Sequence, residues 1–355
     1  MFTSFKKSLK EWYFTTNRFL PWKKTKDPYK IWLSEIILQQ TRVEQGRPYY
    51  EKFIKKYPNI CKLANTPLDD VLKDWEGLGY YSRARNLYST AQEICFKKEG
   101  KFPDRYEDIL ALKGIGKYTA AAIASFAYNL PHAVVDGNVY RVLSRWSGGS
   151  LPIDTTQGQK YFSDLAQNLL DIEDPGTHNQ ALMDLGATVC LPQNPLCHQC
   201  PFQSECKALE KELIKELPVK SKKLIRKERF FHFLILTDKN RLIIQQRTDK
   251  DIWKHLYQFP LIELETLKDA VSLDDFFEKR EVSVKELQNS TSKIYKQILT
   301  HRDIIANFTV IIVEDILKIN SLPEEWKIIE KVSFNDYAYP KIIRQYWEES
   351  CNLLD

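Results

Sequence analysis

The chain has 355 residues, enough for two domains, and 43% of them are hydrophobic, too many for a disordered protein. No apolar run reaches the roughly 18–20 residues that cross a membrane, and the opening MFTSFKKSLKEWYF lacks the apolar stretch and cleavage site of a secretion signal. A cytoplasmic protein is expected, one that makes little use of structural disulfides, and a net charge of +5 fits a nucleic-acid partner without requiring one.

The first part of the chain reads helical. In DPYKIWLSEIILQQTRVEQ, Asp27 is a candidate N-cap and Pro28 a first helical residue. PLDDVLKDWEGLGYYSRARNLYSTAQEICFKK predicts two helices broken at Gly77 and Gly79. GKYTAAAIASFAYNL is rich in alanine, a strong helix former. DGNVYRVLSRW and THNQALMDLGATVC add further helical periods. All twelve glycines lie at or before Gly186. A charged, weakly apolar stretch, Lys207 to Arg229, then reads as a partly helical linker with a boundary near residue 220. Beyond it RFFHFLILT, RLIIQQR, LYQFPLIEL and IIANFTVIIVE are β-branched and aromatic runs, and SLDDFFEKR and PKIIRQYWEES look helical. The expected architecture is two-domain: an all-α domain over residues 1–206, a linker over 207–228 and an α+β domain over 229–355.

Three local patterns carry chemistry. Cys190, Cys197, Cys200 and Cys206 stand in the spacing Cys-x6-Cys-x2-Cys-x5-Cys. Only the central pair has the spacing of a zinc knuckle, whereas an iron–sulfur cubane needs one thiolate per iron; both metals stay open on spacing alone. His198, inside the loop, reads as a solvent-exposed residue because four thiols complete a site. In LKGIGKYTAAAIASFAY, Gly114 and Gly116 precede a helix and are flanked by Lys113 and Lys117. Such a turn can bring backbone N–H groups and a helix N-terminus against a phosphate. An ordinary turn would look similar.

The third pattern is a pair of carboxylates. Glu35 in IWLSEIILQQT shares a helical face with Ile31, Trp32 and Leu38. Burial there would raise its pKa and make it a proton donor near neutral pH; a Glu at the solvent edge of the helix is the plainer alternative. Asp136 in AVVDGNVYRVL is either a turn and N-cap residue or the second carboxylate of a glycosidic-bond-breaking pair.

Taken together, these stretches resemble the helix-hairpin-helix iron–sulfur DNA glycosylases, and more closely the adenine DNA glycosylase family of MutY type. The resemblance runs through LPWKKTKDPYKIWLSEIILQQT, WEGLGYYSRARNL, LKGIGKYTAAAIASFAY, VVDGNVYRVLSR, HNQALMDLGATVC and the cysteine loop, covering most of the first 206 residues. It implies a helix-hairpin-helix glycosylase domain with a [4Fe–4S] cluster on the four cysteines, followed by a Nudix-like α+β domain. It implies base-excision repair of adenine opposite 8-oxoguanine or guanine in double-stranded DNA, by a nucleoid-associated bacterial monomer. By resemblance, Glu35 is the general acid that protonates adenine N7 and Asp136 stabilises the oxocarbenium-like sugar, with Tyr118 and Asn138 lining the catalytic pocket. Arg18, Trp22, Leu38 and Gln180 fall where the family holds the extruded adenine. Gln40, Thr41, Leu78 and Tyr80 fall where it fills the helix and contacts the opposite base.

Tyr118 holds the slot in which endonuclease III-type enzymes carry a Schiff-base lysine, so the resemblance implies a glycosylase without strong strand cutting. An oxidised-pyrimidine glycosylase/lyase and a non-catalytic iron–sulfur DNA-binding module are the rivals. LTHRD sits where the family has Phe-Ser-His: Leu299 and Thr300 are replacements and His301 is kept. The C-terminal part has no glycine and no REx2E helix, so it is expected to read the lesion and not to hydrolyse nucleotides.

Overall fold

A computed structural model describes residues 2–16, 18–221, 225–248, 250–266, 293–313, 315–319 and 322–350. The predicted helix SLDDFFEKR lies outside these residues. The chain forms two compact units, one of Met1–Asn65 with Asn86–Lys223, the other of Thr66–Arg85 with Leu224–Asp355. Among the described residues no helix is long and apolar enough to cross a membrane.

The first unit is helical. Helix α1 (Phe2–Thr15) and a 3₁₀ turn (Pro21–Lys24) precede α2 (Pro28–Leu38). Asp27 caps α2 by accepting from the Tyr29 N–H at 3.0 Å, and Pro28 opens it. The helix stops at Leu38, and α3 (Val43–Lys56) starts a new direction after Gln40, whose φ of +55° breaks the ladder. Helix α4 (Ile60–Ala64) follows, and α5 (Leu68–Asp74) and α6 (Ser82–Lys97) are separated by Gly77 (φ +96°) and Gly79 (φ +70°). Helix α7 (Tyr106–Leu110) leads to α8 (Lys117–Tyr128), then α9 (Gly137–Ser147), α10 (Thr156–Leu169), α11 (Pro175–Thr188) and α12 (Lys207–Glu210). One core joins Phe5 and Leu9 of α1 to Val142, Leu143 and Trp146 of α9 and Leu182 and Leu185 of α11. The charged stretch after the cysteines still belongs to this unit. Leu217 is buried, its carbonyl accepts from Arg145 Nε at 3.0 Å, and Asp154 accepts from the Ser221 N–H at 2.9 Å.

The second unit is a mixed sheet. Strands β1 (Lys227–Thr237) and β6 (Arg302–Ile312) run parallel in register from Lys227↔Arg302 to Thr237↔Ile312. Strands β2 (Arg241–Gln246), β3 (Tyr257–Gln258) and β5 (Tyr295–Ile298) extend the order β3-β2-β1-β6-β5, while β4 (Leu261–Leu264) pairs with β1 and β7 (Trp326–Glu330) with β2. Pro260, without an N–H, splits the predicted run LYQFPLIEL into β3 and β4. Helix α13 (Lys341–Ser350) buries Ile342, Ile343 and Tyr346. The α5–α6 segment packs within this unit: Arg344 Nη2 meets Glu76 Oε1 at 2.9 Å and the Tyr257 hydroxyl donates to Asp69 at 2.9 Å.

Candidate active site

Helix α2 carries Glu35 inward. Ile31, Trp32, Ile36 and Ile37 around it are buried, and Glu35 itself is only 6% exposed. Helix α8 brings the Tyr118 hydroxyl to Glu35 Oε2 as a donor at 2.5 Å. Burial pushes the Glu35 carboxyl up to about 7, and the nearby Asp136 charge adds to this; the Tyr118 hydrogen bond opposes it without prevailing. Burial and both carboxylates raise the Tyr118 phenol far above its ordinary value, so it stays a neutral donor.

Asp136 fills the N-cap role and faces the cavity as well. Its Oδ1 accepts from the Val139 N–H at 2.7 Å and its Oδ2 from Asn138 Nδ2 at 2.7 Å. Burial raises its pKa, while these donors and Arg141 hold it down. Asn138 is held in turn by Arg141, whose Nη2 donates to Asn138 Oδ1 at 2.9 Å and to the Gly186 carbonyl at 2.7 Å. Arg141 Nε reaches the Cys190 carbonyl at 2.7 Å. One guanidinium thus links the start of the cysteine loop to the partner of Asp136. Helix α11 comes close enough for this because position 186 is glycine: a Cβ there would lie 2.6 Å from Asn138 Cβ.

Glu35, Tyr118, Asp136 and Asn138 line one cavity with Arg18, Trp22, Leu38, Thr41 and Gln180. Gln40 stands beside it, exposed and in a left-handed conformation. Sequence reasoning missed Lys23 and Asp184, which also line the cavity. Asp184 is almost fully buried and pairs with Lys23 and with Arg18 Nη1, the latter at 2.6 Å. Burial lowers the Lys23 pKa in spite of that pairing. Gln180 accepts from the Tyr13 hydroxyl at 3.1 Å. Asp184 follows Gln180 by four residues on α11, so one helical face carries both, and that spacing was the available signal.

The turn between α7 and α8 is a hairpin. Gly114 has φ +76°, and a Cβ there would meet Asn86 Cβ at 2.6 Å, so both conformation and space demand glycine. Leu112 and Ile115 anchor it in the core, while Lys113, Gly114, Gly116 and Lys117 are exposed at the N-terminus of α8. This presents backbone donors, a helix dipole and two ammonium groups on one surface, the equipment for holding a phosphate.

The four clustered cysteines, all partly buried, line one small cavity walled by Val189, Leu209 and Ile214. Burial raises the thiols of Cys197, Cys206 and Cys200, the last to about 12. Arg145 fixes the loop by donating to the carbonyls of Leu191 at 2.7 Å and Pro192 at 3.2 Å. Among the described residues no three His, Cys, Asp or Glu side chains converge closely enough for a single metal ion. The four thiols face one cavity, and a multi-iron cluster takes one thiolate per iron. His198 is exposed, next to Gln199.

In the second unit, Leu299, Thr300 and His301 form the tip of the β5–β6 hairpin, closed by the Leu299 N–H to the Arg302 carbonyl at 2.8 Å. The Thr300 hydroxyl hydrogen-bonds the Tyr80 hydroxyl. Tyr80 is 44% exposed in a left-handed conformation, and Leu78 beside it is buried.

Residues 33–167 match the model of the HhH-GPD superfamily of base excision DNA repair proteins, and residues 231–349 that of the NUDIX domain. An adenine DNA glycosylase of Buchnera aphidicola subsp. Baizongia pistaciae is 44% identical over 258 residues, 72% of this chain and 73% of that protein. This chain belongs to the adenine DNA glycosylase family. A family member from Buchnera aphidicola subsp. Acyrthosiphon pisum is 36% identical over 80% of both chains, and the human one 43% identical over 59% of this chain and 40% of its own length. Among solved structures, a thermostable thymine-DNA glycosylase matches 59% of this chain and 97% of its own at 32% identity, with a TM-score of 0.55. A non-covalent endonuclease III–DNA complex shares the fold, at 19% identity over 60% of this chain and 98% of its own, with a TM-score of 0.51.

Proposed function

We propose that this enzyme hydrolyses the N-glycosidic bond of adenine in double-stranded DNA, where adenine lies opposite 8-oxoguanine or guanine. The observation that carries this reading is Glu35, a buried carboxyl raised to about 7, sharing one cavity with Asp136. Protonated Glu35 delivers its proton to N7 of the departing adenine, which then leaves as a neutral base. Tyr118 holds the carboxyl in place from the other side. The Asp136 carboxylate, oriented by Asn138 and the Val139 N–H, stabilises the positive charge that develops on the sugar. Trp22 and Leu38 offer apolar faces for the base, and Arg18 and Gln180 offer hydrogen bonds to its edge. A base in a duplex must be extruded to enter such a cavity, a task assigned to Gln40 and Thr41; of the other two expected contacts, Tyr80 is exposed, whereas Leu78 is buried and does not present itself to DNA.

The hairpin Lys113–Lys117 holds the DNA backbone. Cys190, Cys197, Cys200 and Cys206 would hold a [4Fe–4S] cluster, an assignment supported by family membership and by the cavity they line. Bound there, the cluster would neutralise the buried thiolates and pin the loop that Arg141 and Arg145 tie to α9. Residues 1–206 act as the glycosylase and 229–355 as the lesion reader, working as a monomer. Thr300 keeps the hydroxyl that a reading loop needs, and its contact with Tyr80 supports a shared role for the two in sensing the opposite base. A lyase would need a lysine amine in the cavity; Lys117 is exposed on the hairpin and Lys23 is paired with Asp184.

A single-turnover assay with adenine opposite 8-oxoguanine, guanine or thymine tests this reading. Base release is expected mainly opposite 8-oxoguanine, with strand breaks only after hot alkali and no borohydride-trapped adduct. Breaks without alkali on oxidised pyrimidines, with no adenine release, would move the enzyme to another substrate.

A further inference from the structure

We propose that Cys61 and Cys95 form a thiol–disulfide modification site that stiffens the segment carrying Leu78 and Tyr80. Their sulfurs are bonded, with Cα atoms 5.1 Å apart and a separation of 34 positions in sequence. The other four described cysteines are unbridged, so pairing is a property of this position and not of the chain's thiols in general. Its place in the chain gives the bridge its meaning. Cys61 lies in α4 and Cys95 in the last turn of α6, both in the helical unit, whereas Thr66–Arg85 between them belongs to the second unit. The bridge therefore joins, inside the first unit, the helix that precedes the departure after Asn65 to the helix along which the chain returns at Asn86. Within the second unit the excursion is gripped by Glu76–Arg344, Asp69–Tyr257, Tyr80–Thr300 and Arg85, which donates to the Lys254 carbonyl. A closed loop limits the conformations open to the residues inside it when they unfold locally, which makes local opening rarer.

The site is open to exchange. Both cysteines are partly exposed. The reactant is a low-molecular-weight disulfide such as glutathione disulfide. One protein thiolate attacks it, forms a mixed disulfide and expels one glutathione thiolate. The second protein thiolate attacks the protein-side sulfur, forms the Cys61–Cys95 bond and expels the other glutathione. Two protein thiols are oxidised, one glutathione disulfide is reduced to two thiols, and the two protons pass to the leaving thiolates. Reducing glutathione ratios reverse both steps.

The test uses the full chain with its cysteine loop loaded, equilibrated in glutathione buffers of graded ratio. Peptide mass after alkylation reports the Cys61–Cys95 link, and hydrogen exchange reports the mobility of residues 66–85. The expected result is a linked peptide at oxidising ratios, lost at reducing ones, with exchange in 66–85 faster by roughly threefold or more once the link is gone. The double variant Cys61→Ser, Cys95→Ser should exchange fast in either buffer. No linked peptide, or a link whose loss leaves exchange in 66–85 unchanged, overturns the proposal. A functional arm rests on the adenine-glycosylase reading: preference for adenine opposite 8-oxoguanine over guanine should fall on reduction in the native chain but not in the double variant. A fall of equal size in the double variant would place the effect at other thiols and overturn the link to lesion reading. If neither duplex loses adenine, the glycosylase reading fails, and the exchange result still decides the modification site.

Discussion

The cavity around Glu35 and the hairpin tip at Thr300 are held with unequal redundancy. In the cavity every polar group is held by another: Glu35 by Tyr118, Asp136 by Asn138 and Val139, Asn138 by Arg141, Arg18 and Lys23 by Asp184. At the hairpin tip His301 is exposed, and Thr300 rests on a hydroxyl contact with Tyr80. Chemistry on a buried bond needs groups fixed within fractions of an ångström. Reading a partner base from a loop needs only a few correctly placed donors, so there substitution costs less.

If that contrast holds, the cavity should fail steeply and the tip gently. Glu35→Gln keeps shape and polarity but cannot donate an acid proton. Adenine release should fall by about 10²–10⁴-fold, with DNA binding by gel shift nearly unchanged; equal loss of binding would mean that Glu35 grips DNA instead.

The same residue should cost stability. A carboxyl whose pKa is raised by folding favours the fold below its unfolded value near 4.5, and that advantage is lost as pH rises to its folded value of about 7. The loss is about 3 kcal/mol. Glu35→Gln should therefore melt higher than the native chain above pH 7 and level with it below pH 4.5. Equal melting at every pH would deny the burial argument.

One step further from the reaction, Arg141→Gln removes three donated hydrogen bonds between Asn138, Gly186 and the cysteine loop. On the order of a 10–100-fold slower single-turnover rate is expected, and Arg141→Lys should not restore it, because one ammonium cannot span the three acceptors. The hairpin tip gives the smallest effect. Thr300→Ala should cost about threefold to tenfold, the worth of one hydrogen bond, and only opposite 8-oxoguanine. A loss of the same size opposite guanine would remove Thr300 from lesion reading.

Much of this was legible beforehand, because local rules suffice for it. The Asp27 cap with Pro28, the break at Gly77 and Gly79, and the Gly114 hairpin each depend on a few adjacent residues. The raised acid could be argued from the apolar neighbours of Glu35 at helical spacing. What was not legible is nonlocal or weakly patterned. Lys23 and Asp184 meet across 161 positions of sequence, and no periodicity links them. Strands β5, YKQI, and β7, WKIIE, are short and charged, so they become strands only by pairing with β6 and β2. The turn at Gln40 uses a left-handed residue where glycine would have signalled it. The Cys61–Cys95 pair was hidden because a cytoplasmic reading leads one to expect free thiols.

The most direct measurement is the pH dependence of single-turnover adenine release from an A:8-oxoguanine duplex by the native chain. With Glu35 as the acid, the rate should fall about tenfold for each pH unit above about 7, as the carboxyl loses its proton. A rate that stays level through pH 9, with the duplex still bound, would contradict a proton donated by Glu35.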